Sequence, residues 1–415
     1  MEQAQPDWHG FGERPGRPYR IFVLSVLAVL TVVAVVVAVL RLTPDDDAAV
    51  VIPPLRPDPL PSEIRSVSID FGVVTDPDTD WAEVSEQLAD ANADALNLNA
   101  GRVEFTAFDW DAHPDAAAEA GTDHLAVAAR GLYESPDGRQ RAVNLIADAF
   151  IPNWIASDPS VAGVSAEGKR SAYSASASQL AEGEVGDRLV DYVAELGDRY
   201  DPAAIEITEL YFSAYTFGDD DLALYKKMTG EADWPRTGDG AIDTASPLIG
   251  RWRTAVIAGV LNRMRDALDD VRDGEGRKIG LVLDVRVDWD APATGSPYNG
   301  HGYAQLLSSV RDLRLQLWAY VGLPARAPSS VQALTAALRG AGYDMTRLIV
   351  SVGVWAEGRN ADGTRRTIAP ETFEVALRGA GTNGIAAVNV TPYSLLDAAD
   401  WTVLASVWGG QEGRR

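Results

Sequence analysis

Ala204 to Asp221 reads AIEITELYFSAYTFGDDD, an apolar run that delivers carboxylates at the point where it gives out. Ile205, Ile207, Leu210 and Phe212 make it strand-like. Glu206, Thr208 and Glu209 interrupt it with groups that need water, a proton or a ligand when buried. Strand alternation puts Glu206 and Thr208 on one face, while Glu209 opens the other face or begins the following loop. Asp219, Asp220 and Asp221 then predict the start of a helix, because carboxylates favour the positive end of the helix dipole. A strand that ends in Glu and runs into a βα loop is the unit from which the site of a parallel α/β barrel is assembled.

Working outward, strand-like runs recur along the chain at Ser66–Val74, Ala95–Gly101, Arg141–Ala149, Lys278–Asp288, Leu315–Tyr320, Arg347–Trp355 and Ile385–Thr391. Between them lie segments with helical spacing, such as Leu189, Val193 and Leu196, or Trp252, Val256 and Val260. Strands and helices alternating eight times predict a closed (β/α)8 barrel, over 64–410, rather than an open sheet. A doubly wound sheet is disfavoured because no GxGxxG turn follows the first strand and no P-loop occurs, which also argues against a nucleotide cofactor. The longest insertions, to about Leu125, over Pro152–Gly183 and over Phe217–Leu248, all follow strand carboxyl ends, where a pocket is built.

Ahead of the barrel, Ile21 to Leu40 is apolar apart from Ser25 and Thr31. At ~1.5 Å per residue it spans the ~30 Å hydrocarbon layer of a membrane. Residues 21–41 are therefore expected to form a transmembrane helix. Arg14, Arg17 and Arg20 precede it and Asp45, Asp46 and Asp47 follow, so residues 1–20 are expected in the cytoplasm and the barrel outside a single-pass anchor. A cleaved signal peptide is the rival reading, but the run is long for one and no small-residue cleavage site follows directly. Residues 42–63 carry six prolines from Pro44 to Pro61 and are expected to stay extended and unpacked, as a spacer.

The formal charge of −24 excludes nucleic acid as a natural partner, since phosphates require Lys and Arg clusters. No cysteine is present, so disulfides and thiolate chemistry are excluded. The four histidines, His9, His113, His124 and His301, are too scattered for a zinc motif, and no metal or other cofactor is expected.

The last turns of the strands carry polar or aromatic groups: Asp70, Asn97 with Asn99, Asp148, Glu206 with Glu209, Asp284 with Arg286 and Asp288, Trp318 with Tyr320, Trp355 with Glu357, and Asn389 with Thr391. In DVRVDW, alternation sends Asp284, Arg286 and Asp288 towards the barrel axis. Carboxylates beside aromatic platforms suit glycosidic cleavage, in which one carboxyl protonates the leaving oxygen, a second serves as nucleophile or base, and rings stack on sugar faces. Glu209 is the expected acid/base, because a carboxyl at the frayed end of an apolar strand loses solvent and gains proton affinity. Glu206 is expected as its partner or as a buried orienter held by Arg286, and Asp288 and Glu357 compete for the second carboxylate. Tyr211, Trp234, Trp318, Tyr320 and Trp355 are expected to contact the substrate, with Asp70, Asn99, Asp148, Asp284, Arg286 and Asn389 as polar partners. Two other readings stand beside this one. The barrel could bind a glycan or partner without turnover, or Asp148, Asp284 and Asp288 could hold a hard cation.

The stretch Ile205–Tyr211, the run ADWPR at Ala232–Arg236, RWR at Arg251–Arg253 and DVRVDW together resemble the TIM-barrel glycoside-hydrolase-like proteins. Among these are the family 10-like glycosyl hydrolases and the C-terminal hydrolase domain of the poly-β-1,6-N-acetylglucosamine deacetylase PgaB. The resemblance implies a membrane-tethered hydrolase of an envelope polysaccharide, for which an amino-sugar polymer is a candidate whose cationic form an acidic domain would attract. It also implies acidic residues at the end of the fourth strand, which match Thr208 and Glu209; the Thr departs from the acidic pair of that deacetylase.

Overall fold

The computed structural model describes residues 55–61, 63–271 and 278–409. The expected cytoplasmic tail and membrane helix, and most of the proline-rich segment, lie outside the described residues. Among the described residues no helix is long and apolar enough to cross a membrane.

Eight parallel strands close on themselves: β1 (Ile64–Ile69), β2 (Ala95–Arg102), β3 (Ala142–Asp148), β4 (Ala204–Thr208), β5 (Gly280–Arg286), β6 (Leu313–Trp318), β7 (Leu348–Gly353) and β8 (Ala387–Thr391). Each pairs with its chain neighbours, and β1 pairs with both β2 and β8, which shuts the barrel. Each strand leads to a helix packed outside: α1 (Trp81–Asp90), α2 (His124–Tyr133), α3 (Glu184–Tyr200), α4 (Pro247–Asp270), α5 (Tyr303–Ser309), α6 (Ser330–Gly340), α7 (Pro370–Ala380) and α8 (Ala398–Gly409). This is the (β/α)8 arrangement expected from the sequence.

The apolar alternates explain the layering. Ile205 and Ile207 of β4, Leu281, Leu283 and Val285 of β5, and Val350 and Val352 of β7 are fully buried in the main core, where they meet helix residues such as Leu196, Val260 and Leu338. Their neighbours point inward. At the amino-terminal end of the barrel, Ala204, Val282, Ile349 and Ala387 form a small separate cluster with Ile64 packed against it. Its residues are short or branched because facing strands leave little room at the axis.

A short segment from the proline-rich stretch also joins the barrel at that end, beside the starts of β3 and β4. Leu55 is fully buried; its amide donates to the carbonyl of Asp201, and its carbonyl accepts from the amide of Val143. Arg56 follows with an ion pair to Asp201 at 3.0 Å and a hydrogen bond to the carbonyl of Lys278. The proline-rich segment, expected to remain unpacked to residue 63, therefore joins the barrel by Leu55. The hydrophobic gain at Leu55 and its backbone pairing overcome the extended preference of the flanking prolines.

Candidate active site

One step of two residues along the same strands, about 6–7 Å, replaces the apolar cluster with a polar one. Glu206 of β4 is buried, with Oε2 accepting from Asn97 Nδ2 at 2.8 Å and Oε1 accepting from Gln316 Nε2 at 2.5 Å. The same Gln316 amide reaches Asp284 Oδ1 at 2.9 Å, so one β6 side chain bridges the carboxyls of β4 and β5. The network continues as Asn144 Nδ2 donates to Asn97 Oδ1, Ser66 and Ser68 donate to Asn389 Oδ1, and Asn389 Nδ2 donates to Ser351 Oγ. Burying these groups is tolerated because each is paired.

Above this layer lies a cavity of about 160 Å³, lined among others by Glu206, Glu209, Asp284, Trp318, Tyr320 and Trp355. Three aromatic rings form one wall. Trp318 and Tyr320 stack with centroids 5.6 Å apart and planes 12° from parallel, and Tyr320 meets Trp355 at 5.0 Å. A Cβ at Gly353 would collide with the Tyr320 ring, so glycine is required at the end of β7 for that wall to close.

Glu209 reaches the cavity through an unusual backbone. β4 ends at Thr208, and Glu209 has φ +57°, a left-handed conformation that costs a non-glycine residue about 1–2 kcal/mol. The turn is fastened from outside. His301 Nε2 donates to the carbonyl of Leu210 at 3.0 Å, while its Nδ1 accepts the backbone amide of Arg286 at 3.0 Å. These partners fix the neutral tautomer, and burial pushes the imidazole down to about 4. Phe212 adds a backbone bond to Asn299, and Tyr303 Oη donates to the carbonyl of Arg286. The segment after β5 thus returns to lock the ends of β4 and β5 together.

Electrostatics separate the carboxyls. Burial, then the Asp148 charge, push Glu209 up to about 7, against the opposing pull of Arg286. Glu206 is raised well above the usual range by burial and by Asp284, opposed by Gln316. Burial also raises Asp284 to about 6, although Thr208, Trp318 and Gln316 favour its charged form. The deeper Glu206 is therefore the carboxyl of the pair held more strongly towards its protonated form, and Asp284 the readier to carry the charge. The result is a proton-holding carboxyl and a charged one facing the same space.

The expected residues divide. Glu206, Glu209, Asp284, Trp318, Tyr320, Trp355 and Asn389 all line the cavity. Asp148 stands beside it in an ion pair with Arg102 at 2.5 Å, and Tyr211 lies under the Arg286 guanidinium at 4.1 Å, with its ring 6.3 Å from Trp318. Five others are elsewhere. Asp288 is past the end of β5 and caps a turn, accepting the amides of Asp290 and Ala291. Glu357 is exposed on a hairpin strand, Trp355–Arg359. Trp234 is buried in a ring cluster with Phe217, Tyr225 and Trp252, where packing claims it. Asp70 follows β1 and immediately precedes a short helix, Phe71–Val74, and accepts the amide of Ser394, while Asn99 accepts the amide of Gly101 at a register shift in β2. Glu206 is held by amides of Asn97 and Gln316, where Arg286 was expected. Asp148, Asp284 and Asp288 do not converge: among the described residues no group of three acidic or histidine side chains is placed to hold a metal ion.

Gln316 and His301 carry roles that the sequence reading did not assign. In LRLQLW, Gln316 shares the inward face with Trp318 amid buried leucines, and that inward amide was the available signal. His301 gave none, because its partners lie on two other elements.

No protein-family model and no curated protein sequence matches the chain. Its structure superposes on the PgaB (BpsB) glycoside hydrolase domain from Bordetella bronchiseptica with a TM-score of 0.61 at 15% identity, over 84% of this chain and 99% of that one. The β-galactosidase from the psychrophilic Marinomonas ef1 gives 0.61 at 12% identity over 84% of this chain and 59% of that one. The catalytic domain of β-amylase from Paenibacillus polymyxa gives 0.54 at 11% identity over 83% and 97%. What is shared at such identities is architecture: this chain has the TIM-barrel fold of the glycoside hydrolases it resembles.

Proposed function

We propose that the protein is a glycoside hydrolase that cleaves an envelope or extracellular polysaccharide by carboxylate acid/base chemistry. The observation that carries this reading is the cavity itself, where a carboxyl raised to about 7 and the Asp284–Glu206 pair face one another beneath Trp318, Tyr320 and Trp355. Glu209 is the general acid, since it holds its proton near neutral pH and can give it to a leaving oxygen. Asp284, in place of Asp288 or Glu357, is the second carboxylate. Glu206 positions it and shares its proton, and the ring wall takes the apolar face of the sugar. The apolar run over residues 21–41 and the arginines before it support a single-pass anchor in the cell membrane, with residues 1–20 cytoplasmic and the barrel outside.

A glycan-binding barrel without turnover is the second reading, favoured by the amide donors that already occupy both oxygens of Glu206. One assay separates the two. The full chain, in detergent, is incubated with a panel of β-linked glycans that includes glucosamine polymers, beside Glu209→Gln. Hydrolysis by the wild type, falling by about 10²- to 10⁴-fold in the variant with binding retained, supports the enzyme. Binding to a panel member with no turnover by either protein supports the second reading and overturns the first.

A further inference from the structure

A second cavity, of about 250 Å³, opens beside the first and is lined among others by Arg286, Trp289, Ser296, Asn299, Trp318 and Tyr320. Trp318 and Tyr320 line both, so the two spaces share an aromatic wall. Trp289 belongs to the second alone. Its indole is half-buried, and the guanidinium of Arg326 lies 4.7 Å from its ring centroid, which fixes the plane of the ring. The same lining includes polar groups that suit hydroxyls: Asn299 Nδ2 donates to Ser296 Oγ at 2.7 Å, leaving the Asn299 Oδ1 to accept. The backbone carbonyl of Asn299 accepts the amide of Phe212, so this wall is tied to the turn that carries Glu209.

The charges of the two spaces differ. The first is lined by Glu206, Glu209 and Asp284 and by no cation, whereas the second has Arg286 and no carboxylate. Arg286 forms no ion pair among the described residues, and its Nε is buried without a partner. In a chain with a formal charge of −24, a cleft wall free of carboxylates is a local exception.

We infer that this second cavity is a sugar-binding subsite, taking an uncharged pyranose linked to the ring that is cleaved in the first. The inference rests on the hydrolase reading and sharpens it: the substrate spans at least two rings, and the second is stacked on Trp289 and carries no ammonium group, which Arg286 repels. A chain that fills both spaces is held at two points, so the scissile oxygen is aligned with Glu209 by contacts remote from it.

Trp289→Ala and Trp289→Phe in the full chain test this, with neutral β-linked gluco- and N-acetylglucosamine oligosaccharides of one to six rings and the matching glucosamine oligomers as probes. Trp289→Ala is expected to lower kcat/KM on neutral oligomers of two or more rings by roughly 3- to 10-fold. Single-ring nitrophenyl glycosides are expected to be unaffected, and Trp289→Phe to recover most of the loss because it keeps a stacking face. The gain in kcat/KM from one ring to two is expected to be smaller for glucosamine than for neutral oligomers. Equal kinetics for wild type and Trp289→Ala at every chain length, or an equal gain for the ammonium-bearing series, overturns the subsite. If the wild type cleaves nothing, the hydrolase reading has failed, and calorimetric titration of the same oligomers then decides the subsite. Weaker binding to Trp289→Ala than to wild type sustains it, and equal or absent binding removes it.

Discussion

At the amino-terminal end of the barrel, Ala204, Val282, Ile349 and Ala387 meet around the axis; two residues further along the same four strands stand Glu206, Asp284, Ser351 and Asn389. The lower set, with Ile64 packed against it, contributes apolar contact only. The upper set buries two carboxyls and surrounds them with amides and hydroxyls, which raises the proton affinity of both carboxyls. The comparison teaches that apolar packing and titratable groups are segregated along single strands, at a distance of one side-chain repeat. Substitutions at one end should leave the other untouched.

The largest expected effect lies at the mouth. Glu209→Gln should reduce glycan turnover by about 10²- to 10⁴-fold while leaving thermal melting at about pH 5, where the native carboxyl still holds its proton, near that of wild type, read by hydrolysis assays beside calorimetry. An unchanged rate would break the division at its functional end. The next effect lies at the base. Leu55→Ala should destabilise the fold by about 2–5 kcal/mol, read from denaturant unfolding, with kcat and the pH profile of the surviving folded fraction unchanged. A shifted pH profile in that variant would show that the two ends communicate.

Proton linkage sharpens the contrast. Burial pushes Glu209 up to about 7 in the folded protein from its ordinary 4.5, and Asp284 from 3.8 to about 6. Both acids bind their protons more tightly when folded, so the stability they contribute is present below about pH 4 and is lost as pH rises through about 6 to 7. Wild-type melting temperature should thus decline between pH 5 and pH 8 by more than that of Glu209→Gln, and Leu55→Ala should follow the wild-type slope. Activity that requires the Glu209 proton should likewise fall as pH rises through about 7. A rate that climbs over that interval would assign the proton elsewhere.

A smaller effect is expected at Gln316→Leu, which removes the donor shared by Glu206 and Asp284. The loss is about 1–3 kcal/mol of stability, with a fall in the pH at which activity is half-lost, because a less readily ionised Asp284 withdraws a negative charge that helps to hold the Glu209 proton. The smallest is expected at Glu357→Gln, an exposed hairpin position, where rate and stability should stay within about 0.5 kcal/mol of wild type.

The eight strands were legible because each is an apolar run bounded by turn residues, and their order followed from alternation with helical spacing. The inward face of β4 and β5 was legible as well, since Glu206 and Asp284 sit at alternate positions among buried aliphatics. What failed was anything decided by where a strand stops. DVRVDW alternates evenly to Asp288, yet the pairing ends at Arg286, and two residues of lost register turn a cavity residue into a turn cap. Trp234 looked like a loop platform because its partners Tyr225 and Trp252 belong to two separate helices, a coincidence in space with no trace in spacing. Leu55 was hidden among prolines, and His301 acts through partners far along the chain, which periodicity does not register.

The left-handed backbone at Glu209 has a consequence for laboratory evolution. Glycine or asparagine would sit more comfortably at that φ, and either would shed a carboxyl that prefers not to ionise where it is. Libraries screened only for heat tolerance should therefore discard this glutamate early and yield sturdy, inert barrels, whereas libraries screened for sugar release should keep it at the expense of hardiness. The residue that is least at ease in its own turn is the one that such a pair of selections would pull apart first.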